Sequence, residues 1–249
     1  MTSNFILFKS IWLDAFLINF LLIFFGHRLP FLTKKGWVHA GALGTMLWGA
    51  LGWKGWISVC VYLFLGTLVT KIGYKNKASR GIAEARGGQR GPENVWGSAA
   101  TGCSLALLSC FFPEHLILFK VGFASSFTAK LSDTFSSEIG KRFGKRTFLI
   151  TTLKPVEPGT EGAVSLEGSL AGLLGSFILT IVMIKLSIIS GIYVVFVVLF
   201  SSYFATIIES YIGAIAQNKI NWMTNELVNS IQTSLAAVIS ILVCFIFIY

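Results

Sequence analysis

Eight apolar stretches, near residues 5–25, 37–53, 55–71, 95–112, 115–134, 167–184, 189–208 and 230–249, constrain this chain more than any motif in it. Each is close to the ~20 residues with which a helix crosses a ~30 Å hydrocarbon core. That core holds no water to satisfy backbone polar groups. Helices pair those groups internally and are the economical fold. The expectation is an all-α, polytopic integral membrane helical bundle of about eight transmembrane helices, a single domain over 1–249. Composition agrees, since only 12% of residues are charged where soluble domains carry ~25%. Lys54-Gly55 alone separates the second and third stretches, which predicts a tight hairpin. The first run is too long for the apolar core of a signal peptide and lacks a small-residue cleavage site, so it reads as a first spanning helix.

Charge placement orients the bundle. Arg28, Lys34 and Lys35 follow the first stretch, and Lys71, Lys75, Lys77, Arg80, Arg86 and Arg90 follow the third. Lys141, Arg142, Lys145, Arg146 and Lys154 follow the fifth, and Lys219 the seventh. Alternate loops are short and carry mainly Lys54, Lys120 and Lys185. The bias towards Lys and Arg on the cytoplasmic side puts the first set in the cytosol or an equivalent compartment, with both termini opposite. Lys71, Lys75 and Lys77 read as ordinary topology signals that also attract anionic lipid. Basicity has this explanation already, and no nucleic-acid-binding motif is present. Cys60, Cys103, Cys110 and Cys244 all lie in apolar runs and read as small buried hydrophobes. His27, His39 and His115 share no metal-ligand spacing. Gly36, Ala40 and Gly44, and again Gly168, Gly172 and Ser176, recur every four residues and predict close helix contacts.

Acids near membrane spans are expensive to place and so mark candidate function. Asp133 and Glu138 end the fifth span, Glu209 ends the seventh, and Asn225 and Asn229 open the eighth at helical spacing. All map to one predicted face of the membrane. Mg²⁺ needs only one or two carboxylates beside waters and phosphate oxygens, so Asp133, Glu138 and Glu209 are its candidate ligands. Arg86-Gly-Gly-Gln-Arg90 places glycine-flanked arginines where they can fork onto phosphate oxygens. Gly140-Lys-Arg-Phe-Gly144-Lys145-Arg146-Thr147 is not a Walker loop. Three residues rather than four separate its glycines, and Arg146 intervenes before Thr147. The site is expected to form from loops at about 72–94, 135–166 and 209–229.

Ser132-Asp133-Thr134 through Ser137-Glu138-Ile-Gly140, Ile150-Thr-Thr152, Pro158-Gly-Thr160-Glu-Gly162-Ala-Val-Ser165, and Glu209-Ser210 with Gly213, Ala214 and Gln217 carry a resemblance to a known family. It is the integral-membrane family that includes the phytyl phosphate kinases of the vitamin E pathway and the eukaryotic transmembrane protein 19 group. Arg86-Gly-Gly-Gln-Arg90-Gly-Pro-Glu-Asn-Val-Trp96 and Gly159-Thr160-Glu161-Gly162-Ala163-Val164-Ser165 resemble the phytyl phosphate kinase branch in particular. Gln89 departs from many members, which have a basic residue there. Asp133, Gly140, Gly144-Lys145, Lys154, Glu161-Gly162 and Gly168 are also similar in order to membrane CTP-dependent lipid kinases.

These resemblances imply transfer of the γ-phosphoryl group of CTP, or another nucleoside triphosphate, to phytyl or another prenyl monophosphate with Mg²⁺. They imply nucleotide contacts from Lys141, Lys145, Arg146, Gly159, Thr160, Gly162 and Ser165. They imply catalytic roles for Asp133, Lys154 and Glu161. Arg86 and Arg90 would hold the acceptor phosphate or the nucleotide, and Asn225 and Asn229 would orient either. The implied home is a cyanobacterial or other bacterial plasma or thylakoid membrane, with the prenyl tail among lipid and the site on the cytosolic side. A prenyl alcohol kinase, or a non-enzymatic transporter of lipid phosphates, is the alternative.

Overall fold

The computed structural model describes residues 2–217 and 220–247. Lys219, counted above among the cytosolic cations, lies outside the described residues. Seven long helices form the body: α1 (Thr2–Gly26), α2 (Lys34–Lys71), α4 (Pro92–Phe111), α5 (Leu116–Phe143), α6 (Leu166–Lys185), α7 (Ile192–Ile215) and α8 (Asn225–Phe247). A short helix, α3 (Tyr74–Ser79), follows α2. The all-α expectation holds apart from one small ribbon, in which β1 (Thr147–Leu149) pairs antiparallel with β2 (Ala163–Ser165), Thr147 opposite Ser165.

The predicted hairpin is inside α2. Gly52 takes a φ of 69° and interrupts the helical backbone. Arg90 touches both halves of the element: its carbonyl accepts from Thr33 N–H at 3.0 Å, while its guanidinium donates to Tyr62 Oη at 2.7 Å. A straight helix would hold Thr33 and Tyr62 ~40 Å apart at 1.5 Å per residue, so the two halves fold back on each other. Thr33 caps the first half, its Oγ1 accepting from Gly36 N–H at 3.0 Å.

Among the described residues four helices are long and apolar enough to cross a membrane: Lys34–Lys71, Leu166–Lys185, Ile192–Ile215 and Asn225–Phe247. Ser10–Gly26 adds a shorter apolar stretch. α5 is not among them because it sits at the centre of the bundle. It packs against α6, α8, α4, α7 and α2, and every residue from 121 to 132 is buried. A helix enclosed by protein needs no lipid-compatible face and can carry Ser, Thr and Lys, provided each finds a partner. Ser202 Oγ donates to the Ser125 carbonyl at 3.1 Å, and Gln232 Nε2 donates to the Ala129 carbonyl at 3.1 Å.

The glycine spacings are packing devices. A Cβ on Gly168 would lie 2.7 Å from the Ser136 carbonyl, and one on Gly172 would lie 2.0 Å from Ser136 Oγ, so α6 lies directly on the α5 backbone. The outward residues are large and apolar, among them Leu170, Leu174 and Phe177 on α6 and Phe196 and Phe200 on α7. Such a surface suits lipid rather than water.

Several helices run past their expected ends. α5 continues to Phe143 and α7 to Ile215, while α8 starts at Asn225. The start of the stretch 135–166 and about half of 209–229 are therefore helix rather than loop. The loop after α1 meets the loop before α4 through the bridge between Leu32 and Arg90. The connections after α1, α3, α5 and α7 gather at this end.

Candidate active site

A cavity of about 410 Å³ opens at that end, walled by α4, α5, α7, α8, the start of α6 and the two long connections. Thirteen of the sixteen residues singled out in the sequence line it: Arg86, Arg90, Asp133, Glu138, Lys141, Gly159, Thr160, Glu161, Gly162, Ser165, Glu209, Asn225 and Asn229. They come from all three expected stretches.

Lys130 organises the inner wall. It sits in α5 at 7% exposure, one turn before Asp133. Its ammonium pairs with the Asp133 carboxylate and donates to Asn229 Oδ1 at 2.8 Å. This joins α5 to α8 and points Asp133 at the cavity. Glu209 on α7 shares the field of Asp133, Lys130 and Glu161. Gln217 adds a buried side chain whose Oε1 has no hydrogen-bond partner among the described residues. Lys130 has no role in the sequence reading, although a lysine inside an apolar run, three residues from an aspartate, is a recognisable signal.

The second wall centres on Glu138, which is 1% exposed. The sequence places it among the metal ligands; the structure shows it paired with a lysine. Its carboxylate is taken by Lys77, which is wholly buried and also donates to the Thr70 carbonyl at 3.0 Å. Lys141 stands 3.9 Å from Glu138 and donates to Glu84 at 3.3 Å. Lys77 is thus no solvated topology cation but the buried counter-ion of Glu138. Among the described residues no three His, Cys, Asp or Glu side chains are close enough to hold a metal unaided. Asp133, Glu138 and Glu209 therefore do not converge as one ligand set.

The rim carries a polar chain. Arg86 pairs with Glu93 and donates to Asn94 Oδ1 at 2.8 Å, and Asn94 Nδ2 donates to Glu226 at 3.1 Å, tying the arginine loop to α8. Arg86 holds a left-handed backbone, φ 54°, a costly setting for a side-chain-bearing residue and one that functional loops retain.

Lys145, Arg146 and Lys154, expected at the nucleotide phosphates or the reacting centre, are exposed and off the cavity wall. α5 ends at Phe143, Gly144 turns the chain, and the ribbon carries these cations outward. Ser165 lines the cavity, but its hydroxyl accepts from Gly168 N–H at 3.1 Å as the N-cap of α6. Its part is to aim that helix terminus at the cavity rather than to offer a free hydroxyl.

Gly162 fits where no other residue does. Its φ is 75°, and a Cβ there would lie 2.4 Å from Ala214 Cβ and 2.7 Å from the Ser210 carbonyl. Gly87 has φ 67° but open space around it. Left-handed backbone costs a residue with a Cβ ~1–2 kcal/mol, and Gly162 adds a collision with α7. Gly162→Ala is expected to lower the thermal midpoint in detergent well beyond Gly87→Ala. Equal shifts would show that the collision with α7 is relieved at no cost.

Burial in the cavity raises the Glu161 carboxyl above the usual carboxylate range; Asp133 and Glu84 add to this and Lys141 opposes it. For Glu84, burial acts upward, but Lys141, with Lys130 and Arg90, holds it below that range. A raised carboxyl binds more protons folded than unfolded, so its contribution to stability falls as pH rises from the unfolded value through the folded one. Glu161→Gln is expected to flatten that part of the pH–stability profile without added cations, as read by thermal midpoints from pH 4 to 8.

The arrangement is a polar cavity at the end of an apolar bundle, with six carboxylates and four cations on its walls. The description "Integral membrane protein DUF92" matches residues 17–237. The chain belongs to the DUF92 family of integral membrane proteins. It is 49% identical to the uncharacterized membrane protein sll0875 of Synechocystis, over 92% of this chain and 90% of that protein. It is 44% identical to Protein VTE6, chloroplastic, of Arabidopsis thaliana, over 93% of this chain and 71% of that protein. An uncharacterized membrane protein of Methanocaldococcus jannaschii, MJ0933, is 30% identical over 85% of both chains. No solved structure matches. For this DUF92 protein the matched region takes in the whole cavity wall.

Proposed function

We propose that the protein is a prenyl phosphate kinase that transfers the terminal phosphoryl group of a nucleoside triphosphate to phytyl monophosphate, giving the diphosphate. The observation that carries this reading is the meeting of Asp133, Glu161, Glu209, Lys141, Arg86 and Arg90 in one cavity at the end of the apolar bundle. The resemblance to the phytyl phosphate kinase branch and the 44% identity with VTE6 support it.

The chemistry suits the residues. A phosphate monoester has a second pKa of ~6 and is mostly dianionic at neutral pH. Its terminal oxygen is already a nucleophile and needs no strong base. That oxygen bonds to the γ-phosphorus while the bond to the β–γ bridging oxygen breaks, and the nucleoside diphosphate leaves. The task of the protein is to hold two polyanions in line. Arg90 is placed to hold the acceptor phosphate, because its backbone is clamped by Phe31 and Thr33 and its guanidinium is oriented by Tyr62. Lys141 and Arg86 face the cavity from its outer wall, where nucleotide phosphates would enter. The Gly159–Gly162 turn lets its backbone approach them closely.

Six carboxylates on the wall repel a triphosphate unless cations intervene. Asp133, Glu209 and Glu161, with the orphaned Gln217 Oε1, are oxygen donors of the kind Mg²⁺ takes beside phosphate oxygens, so the donor set fits that ion. Bound there, Mg²⁺ would neutralise phosphate charge and favour departure of the nucleoside diphosphate. CTP as the nucleotide, and a cytosolic site in a bacterial or thylakoid membrane, belong to the same reading, from resemblance and from charge placement.

A kinase for the free alcohol would need a base, and Asp133, the candidate, is already paired with Lys130. The monophosphate acceptor avoids that demand. Purified protein in detergent with Mg²⁺ and γ-labelled nucleotide, offered phytol and phytyl phosphate side by side, tests the proposal. Label is expected in phytyl diphosphate only. Label in phytyl monophosphate would mean an alcohol kinase. No transfer to any prenyl acceptor, with uptake of lipid phosphate into proteoliposomes, would mean a transporter.

A further inference from the structure

A second, smaller pocket of about 80 Å³ lies between α1, the two halves of α2 and α4. It is apolar where the active-site cavity is polar: Trp37, Leu43, Leu47, Val59 and Leu63 supply much of its wall. The two adjoin. Arg90, Asn94 and Ser98 line both. We infer that this pocket seats the first isoprene units of the acceptor, entered beside Arg90. The inference rests on the prenyl phosphate reading above.

Three observations carry it. First, the junction is built for a charged head on an apolar tail. The Arg90 guanidinium lies 5.4 Å from the Tyr62 ring centroid and donates to its hydroxyl, so a fixed cation stands at the mouth of an apolar slot. Second, the pocket's deep polar side chain is already paired within the protein. Asn19 is 4% exposed, yet its Nδ2 donates to the Ala15 carbonyl at 2.8 Å and its Oδ1 accepts from Trp56 Nε1 at 3.0 Å. Of the pocket's polar groups, Trp37 Nε1 is buried without a hydrogen-bond partner among the described residues, and an apolar chain leaves it as it is. Third, the slot has a floor and a side door. From Trp37 to Leu47 along the first half of α2 is about 15 Å at 1.5 Å per residue, and the Asn19–Trp56 bond closes the deep end. Among the described residues α1 packs substantially on α2 and not on α4, which leaves a side from which a chain can enter out of lipid.

The size sets the expectation. A single water needs ~10–15 Å³, so about 80 Å³ takes a short run of methylene-sized groups. The units next to the phosphate are gripped there. The remainder of a long chain lies between α1 and lipid.

The test is photolabelling of wild-type protein with a prenyl monophosphate carrying a diazirine on its first isoprene unit, mapped by mass spectrometry. Adducts on Leu43, Val59 or Leu63 are expected. Adducts on the outward residues of α6 and α7, or none at all, overturn the inference. The prenyl phosphate reading is judged separately by turnover of the unmodified acceptor. Labelled pocket without turnover keeps the pocket and sinks the kinase, and turnover with labelling elsewhere does the reverse. Ala99→Leu and Ala40→Phe, which fill the slot from α4 and α2, are expected to raise KM for phytyl phosphate about tenfold, ~1.4 kcal/mol, with KM for the nucleotide unchanged. Unchanged KM for phytyl phosphate in both variants overturns the inference.

Discussion

Asp133→Asn is expected to lower phosphoryl transfer on the order of 10³-fold, in line with the ~2.7–4 kcal/mol lost when one preorganised electrostatic group is removed from a reacting centre. Asparagine keeps the shape and one acceptor for Lys130 and removes only the charge. The buried Lys130 ammonium loses its carboxylate, so thermal stability in detergent should fall as well, and kcat, read per folded protein, should collapse beyond that loss. The Mg²⁺ concentration needed for half-maximal activity should rise in parallel. Asp133 is chosen over Glu209 and Glu161 because it alone is fixed by a buried lysine that is itself fixed by Asn229. A variant retaining more than a tenth of wild-type turnover would remove Asp133 from the centre of the site and leave Glu209 and Glu161 as the principal carboxylates.

The largest effect on stability is expected from Lys77→Met. Removing one member of a buried ion pair leaves the other charged and unpaired, at a cost of ~3–5 kcal/mol. Glu138 would be that orphan. Lys141, 3.9 Å away, offsets a part, so the loss is expected near the lower end, about 3 kcal/mol, with a fall in thermal midpoint on the order of 10 °C. The double variant Lys77→Met with Glu138→Leu replaces both partners by apolar groups and should recover most of the loss. If Lys77→Met alone melts with the wild type, the pair is not formed in the membrane protein, and Glu138 becomes available to a metal again.

These two predictions sit on opposite sides of what could be read in advance. Asp133 was visible as an acid at the end of an apolar run. The pairing of Lys77 with Glu138 was not, because the partners are 61 residues apart and Lys77 lies among other lysines that satisfy the topology rule. Lys145, Arg146 and Lys154 stand differently, outside the cavity wall. Their composition suits phosphate, but local turns after α5 send them outward. Lys130 was within reach, since a lysine three residues from an aspartate in an apolar helix has few cheap alternatives to pairing with it.

The chain alone determined its solvent and its organisation. Runs of about twenty apolar residues admit helices in lipid and little else, cation placement separates the two ends, and small residues every fourth position announce close helix contacts. It also determined most of the cavity wall, because oxygen-bearing and cationic side chains at span ends are costly unless used. Only the tertiary structure decided which of those charges face the cavity and which neutralise one another. It alone decided that α2 folds back so that Arg90 spans both halves, and that an apolar slot opens beside that arginine. Such outcomes depend on contacts between residues far apart in the chain, and local spacing carries no record of them.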